Sequence, residues 1–214
     1  MKECADAPLT LYYKGAANIN KQRIITIVGT RRCTHYGQDL IEKLISELQR
    51  LCPDVLIVSG LAYGVDINAH RSSRDHHFET IGVWAHGLDY LYPHAHKETA
   101  LKMLSQGGLL SEYCTNTKAD KMNFVRRNRI VAGMCDACIL VESALKGGGL
   151  RTVGIAKDYS REVFAFPGAV GAPYSEGCNA LIAQNGAALI TSANDLVENM
   201  NWDNISLLNK AKEK

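Results

Sequence analysis

The 214-residue chain has no apolar run near the roughly 18 residues that a membrane-spanning helix needs, so no membrane association is expected. Its first residues, Met1-Lys-Glu-Cys-Ala-Asp6, carry an acidic pair where a secretory signal would carry an apolar core. An excess of one charge is also lacking: 24 Lys and Arg stand against 22 Asp and Glu, a formal net charge of +2. Any affinity for a polyanion must therefore come from a local patch. No Pro/Ser-rich linker divides the chain, so residues 1–200 are read as one domain. Residues 201–214 are read as a polar tail with a weak helical stripe of Ile205, Leu207 and Leu208.

Paired cysteines are missing too. Seven cysteines at irregular spacing exclude a simple disulfide framework and point to free thiols in a reducing cytoplasm. Cys135-Asp-Ala-Cys138 has no second pair at zinc-ligand spacing and runs into Ile139, so both are read as small buried residues at the head of a strand. His94 and His96, with His76 and His77, lack an Asp, Glu or Cys partner spaced to complete a site, and no metal is expected. The glycine fingerprint G-x-G-x-x-G is absent as well, which argues against NAD or FAD, and no cofactor is expected.

Against these absences stands Ile24-Ile-Thr-Ile-Val-Gly-Thr-Arg-Arg-Cys-Thr34. A β-branched run empties into a Gly turn, and two arginines follow where more glycines would serve a dinucleotide. A strand, a Gly turn and a helix form a phosphate-binding geometry, because the backbone can approach the anion and the helix offers free N–H groups. Gly29, Thr30, Arg31 and Arg32 are accordingly candidate contacts, the arginines with bidentate reach.

Strand-length apolar runs alternate with helix-length amphipathic segments from there on. Residues 24–28 precede 36–51, where Leu40, Ile41, Leu44, Ile45 and Leu48 repeat at helical spacing. Runs at 55–58, 80–84, 109–111, 137–141, 163–166 and 187–190 are each followed by a segment of helical character, the last capped by Thr191-Ser192. Repeated βα units with doubly apolar strands predict an α/β fold: a doubly wound, mostly parallel sheet with helices on both faces. Ligands of such sheets sit beyond the carboxyl ends of the strands.

Three more segments end up on that edge. Lys118-Ala-Asp-Lys-Met-Asn-Phe-Val-Arg-Arg-Asn-Arg129 packs five cations and one acid into twelve residues. A solvated helix face explains most charge runs. Here Arg126, Arg127 and Arg129 surround Asn128 just ahead of an apolar, buried helix end, which favours phosphate binding together with Lys121 and Phe124. Lys146-Gly-Gly-Gly-Leu-Arg151 places Lys146, Gly147 and Gly148 at the mouth of a helix, a phosphate cradle in form though a weak signal alone; Thr152 serves as cap or as ligand. Ser59-Gly60 closes the next strand, but the surrounding pattern is not G-x-S-x-G, and Asp66 and His70 suit a structural hydrogen bond or cap as well as catalysis.

These segments, in this order, resemble the DNA-processing protein A (DprA, or Smf) family. The matching words are Ile27-Val-Gly-Thr-Arg31 with Tyr36-Gly37, Val58-Ser-Gly-Leu-Ala-Tyr-Gly-Val-Asp66 with Ala69-His70, and Gly87-Leu-Asp-Tyr-Leu-Tyr-Pro93. Leu110-Ser-Glu112, Phe124 with Arg127-Asn-Arg-Ile-Val-Ala-Gly133, Val141-Glu142, Phe164-Ala-Phe-Pro-Gly168 and Ser175-Glu-Gly-Cys-Asn-Ala-Leu-Ile182 follow. Leu11-Tyr-Tyr-Lys-Gly15 is similar to the stretch that precedes the first strand in that family.

The resemblance implies an extended Rossmann-like domain that binds single-stranded DNA without chemistry, forms a homodimer, protects incoming strands and loads the RecA recombinase in natural transformation. It implies a phosphate pocket using Arg31 near the segment Arg127 to Arg129. Two departures stand out: His94 and His96 occupy a loop where many members have Asn, and Gly147-Gly-Gly-Leu-Arg-Thr152 replaces a serine-bearing loop, with Arg151 as a substitute contact. Tyr63, Phe124 and Trp84 are candidates to stack a base, Trp84 being the best placed for the core. Two rivals remain. One is a nucleotide phosphoribohydrolase of the lonely-guy kind, whose trailing Glu is absent after Thr152 and for which Glu142 or Glu112 would have to substitute. The other is a nucleotide-sensing module.

Overall fold

A computed structural model describes residue 1 and residues 3–202. The stripe of Ile205, Leu207 and Leu208 lies outside the described residues. Trp202, at the head of the expected tail, is 7% exposed and packs in the core with Arg23 over its ring.

The strands are β1 (Tyr12–Gly15), β2 (Ile24–Val28), β3 (Leu56–Ser59), β4 (Thr80–Trp84), β5 (Gly108–Ser111), β6 (Ala137–Leu140), β7 (Glu162–Ala165) and β8 (Ala188–Leu189). They form one sheet in the order β1-β5-β4-β3-β2-β6-β7-β8. All neighbours are parallel except β1, which runs antiparallel along β5. The chain thus winds outward from β2 through β5, returns, and winds the other way from β6. This is the doubly wound sheet expected from the βα alternation. Its reversal point lies between β2 and β6, where the loops leaving the two strands diverge and open a crevice. β1 was not legible as a strand, because an edge strand with a mostly exposed pattern carries no apolar signature.

The helices are α1 (His35–Leu51), α2 (Val65–Asp75), α3 (Lys97–Met103), α4 (Lys121–Met134), α5 (Gly148–Asp158), α6 (Glu176–Ala183) and α7 (Ala193–Asn199). Side chains alternate across the pleat. Ile25 and Ile27 face a core with Ile41, Leu44, Ile45 and Leu48 of α1 and Leu196 of α7. Ile24 and Val28 face the opposite core with Ile130 and Val131 of α4 and Val153 of α5. Cys135 and Cys138 are fully buried in that second core, and their pairwise spacing serves packing. Each large aliphatic removed from water in this way contributes about 1.5–3 kcal/mol. No helix among the described residues is long and apolar enough to cross a membrane.

Candidate nucleic-acid interface

The turn after β2 is fixed from both sides. The Thr30 amide donates to the Glu142 carbonyl (2.7 Å), and the Thr30 carbonyl accepts from Val65 at the start of α2 (3.1 Å). Gly64, at φ +75°, has no room for a Cβ because the carbonyl of Thr30 and the backbone of Arg31 pass directly over it. Arg31, held between these anchors, is exposed and lays its guanidinium 5.7 Å from the centroid of the Phe124 ring.

Phe124 comes from α4, which Asp120 starts by accepting from the Met122 amide (2.7 Å). At 100° per residue, Lys121, Phe124 and Asn128 share one face of that helix. Together with the Gly29 turn, Gly60 and the loop ahead of α5, they line a cleft of about 680 Å³ at the reversal point of the sheet. Lys146, Gly147, Gly148, Gly149, Arg151 and Thr152 form its far wall. No side chain caps α5, so its first N–H groups open into the cleft, and a Cβ at Gly148 would meet only open space. Arg31, Lys121, Lys146 and Arg151 are exposed there. The acids of the lining, Asp66 and Asp120, are both engaged, one beneath the floor and one as a helix cap.

Arg127 reaches the same cleft from below. It is 4% exposed, and its Nη1 donates to the carbonyls of Gly60 (2.6 Å) and Val83, tying the ends of β3 and β4 to α4. Asp66 lies beside it and accepts from the amides of Gly60 (3.1 Å) and Ala62 (3.4 Å). Burial pushes the Asp66 carboxyl up and the Arg127 guanidinium down, and their mutual attraction opposes both shifts. Next to them His70 is fully buried, with Nδ1 2.7 Å from the Thr80 hydroxyl. Burial, helped by the neighbouring charges of His96 and Arg127, drops its pKa to about 3, so the ring is neutral. Asp66 and His70 therefore brace the floor.

The cleft gathers Gly29, Thr30, Arg31, Gly60, Lys121, Phe124, Arg127, Asn128, Lys146, Gly147 and Gly148 from the sequence candidates. Arg32, Ser59, Arg126 and Arg129 are not among its lining residues. Ser59 is fully buried, and its hydroxyl donates to the Ile27 carbonyl (2.7 Å). Arg129 forms a two-pronged pair with Glu112 (3.0 and 2.6 Å), with Asp6 close by. Arg126 lines the same depression as that pair, away from the cleft. Arg32 is exposed on the turn.

Of the aromatic candidates, Phe124 lines the cleft and Trp84 is 4% exposed in the core. Tyr63 packs edge-on against His96. Tyr90 and Tyr92 also line the cleft, Tyr92 with its ring centroid 5.8 Å from that of Phe124. Neither is among the stacking candidates of the sequence; their signal there is two tyrosines in the loop leaving β4, on the ligand edge of the sheet. His96 binds the Leu61 carbonyl (2.8 Å), and His76 faces Glu42 (2.5 Å). No cluster among the described residues could hold a metal ion. Glu142 and Glu112 are committed elsewhere, to Thr34 and Arg129 respectively, and neither lines the cleft.

The sequence profile of the DNA recombination-mediator protein A family matches residues 1–201. The chain is 38% identical to the DNA processing protein DprA of Streptococcus pneumoniae over 197 residues, which are 92% of this chain and 68% of that protein. It superimposes on the X-ray structure of DNA processing protein A from that species with a TM-score of 0.86. Identity to the DprA of Bacillus subtilis is 39% over 206 residues, 96% of this chain and 68% of the relative. A structure of DNA processing protein A from Helicobacter pylori, concerned with that protein's single-stranded DNA binding mode, matches with a TM-score of 0.84 at 29% identity, covering 94% of this chain and 90% of that one.

Proposed function

The chain belongs to the DNA recombination-mediator protein A family, and on that premise we propose that its cleft binds single-stranded DNA without strong sequence preference and without chemistry on the strand. One observation carries the reading: four exposed cations, Arg31, Lys121, Lys146 and Arg151, line one cleft with the Phe124 ring at the carboxyl edge of the sheet, Arg31 lying over that ring. Phosphates meet Arg31, Lys121, Lys146 and the uncapped amides of Gly148 and Gly149 at the start of α5. A splayed base stacks on Phe124 beside Tyr92, an interaction typically worth about 1–3 kcal/mol and indifferent to base identity. Arg127 supports this floor from within the protein, and Gly29, Thr30, Gly60 and Asn128 shape it.

We further propose that it hands strands to the RecA recombinase during natural transformation, acting as a homodimer in the cytoplasm; the family's description as a recombination mediator supports the part in recombination. Two clefts on a dimer raise avidity when one strand spans both. The phosphoribohydrolase alternative fares worse, because the two carboxylates it needs are buried under Thr34 or paired with Arg129.

Fluorescence anisotropy with matched single- and double-stranded oligonucleotides at two salt concentrations tests the binding claim. Tight binding of oligo-dT is expected, with the logarithm of affinity falling against log salt by about 0.7 per phosphate neutralised. A preference for duplex, or release of free base from nucleoside monophosphates, overturns the reading. Light scattering of the purified protein, and RecA filament assembly on oligo-dT with and without it, test the dimer and the hand-over.

A further inference from the structure

Glu142 lies two residues beyond the carboxyl end of β6 and grips the Arg31 turn at both ends. Its carbonyl accepts from the Thr30 amide (2.7 Å). Its side chain accepts from the Thr34 amide (2.8 Å) through Oε2 and from the Thr34 hydroxyl (2.6 Å) through Oε1. Thr34 in turn caps α1, its hydroxyl oxygen accepting from the Gly37 amide (3.3 Å). The carboxylate is 3% exposed, and burying it is tolerable because each oxygen receives a donor.

The surrounding backbone is cut to fit this residue. A Cβ at Gly37 would land on Glu142 Oε2, and one at Gly29 would come within 2.7 Å of the Glu142 carbonyl. Between the two anchors, the Arg32 amide closes the turn onto the Thr30 hydroxyl (3.1 Å). Arg31 is therefore carried on a short loop whose two ends are fixed by one neighbour.

We infer that Glu142 is a positioning residue for single-stranded DNA: it holds the Thr30–Thr34 turn so that the Arg31 guanidinium stands over Phe124, where a phosphate passes. The inference rests on the reading of the cleft given above. Glu142 touches no nucleotide, and its effect travels only through Arg31. A Gln at this position keeps the length of the side chain and one acceptor oxygen, and the Thr34 hydroxyl can rotate to accept from the new amide. Alanine removes both contacts.

The test is a four-protein cycle read by oligo-dT anisotropy: wild type, Arg31→Ala, Glu142→Ala and the double variant. Arg31→Ala is expected to weaken binding about tenfold, the loss of one charge-assisted contact. Glu142→Ala should weaken it several-fold and lower the salt slope by about 0.7, as loss of one phosphate contact does. The double variant should bind no more weakly than Arg31→Ala alone, and Glu142→Gln should return close to wild type. Losses that multiply in the double variant overturn the inference, as does an unchanged salt slope in Glu142→Ala. If Glu142→Ala does not fold, Thr34→Ala and Thr34→Ser carry the same comparison, the serine keeping both the cap and the donor. Should Arg31→Ala bind oligo-dT like wild type, the reading of the cleft fails first, which separates the two outcomes.

Discussion

Arg31 and Arg127 line the same cleft, yet they sit in it in opposite ways. Arg31 is exposed on a turn, its guanidinium over the Phe124 ring. Arg127 is buried, and its Nη1 is tied to the carbonyls of Gly60 and Val83 beside Asp66, while its Nε has no partner among the described residues. A guanidinium held under the floor by backbone oxygens is out of a strand's reach. One facing water presents all five of its donors. The first is therefore assigned to binding and the second to the architecture beneath it.

The largest expected effect is on stability. Arg127→Ala strands two buried carbonyls and leaves Asp66 without its counter-charge, so urea denaturation should show a loss of about 3–5 kcal/mol. A stable variant that merely fails to bind DNA would break the comparison. A smaller effect comes from the burial of His70 beside this pair. Its folded pKa, about 3, lies below the ordinary 6.5, so the unfolded chain takes up a proton that the native state refuses. Stability contributed by this site is fully present above pH 6.5 and falls as pH drops from 6.5 towards 3. Between pH 7 and pH 5 the loss should approach about 2 kcal/mol. His70→Gln should flatten that part of the pH profile, and an unaltered profile would count against the assignment.

Arg31→Ala should leave the unfolding free energy in urea within about 0.5 kcal/mol of wild type while costing about 1.4 kcal/mol of oligo-dT affinity. Arg126→Ala comes last. Its side chain lies in the depression shared with Arg129 and Glu112, outside the cleft, so a change in affinity above about 0.5 kcal/mol would redraw the boundary of the site.

The legible part of the site was its backbone. The Gly29 turn, the Gly147 loop and the carboxyl edge of the sheet follow from alternating apolar runs, because strand ends and glycine turns are local features. What could not be read was the direction of each side chain on α4. Arg126, Arg127 and Arg129 look like one patch in the sequence. On a helix, however, residues 127 and 129 point about 200° apart, and the structure sends one under the floor and the other to Glu112. Tyr92 was passed over for a related reason: its place beside Phe124 depends on a loop from β4 crossing to α4. Glu142 stays open in the sequence as a substitute for the missing phosphoribohydrolase carboxylate, because nothing near it there shows that Thr34 takes both of its oxygens.

Composition and periodicity by themselves determined a doubly wound α/β domain with glycine turns on one edge, since burial patterns and helix starts are written within short windows of the chain. Only the tertiary structure decided which cations face water and which are spent inside. That choice depends on carbonyls and carboxylates brought in from distant strands, and an arginine's role is fixed by what satisfies its donors.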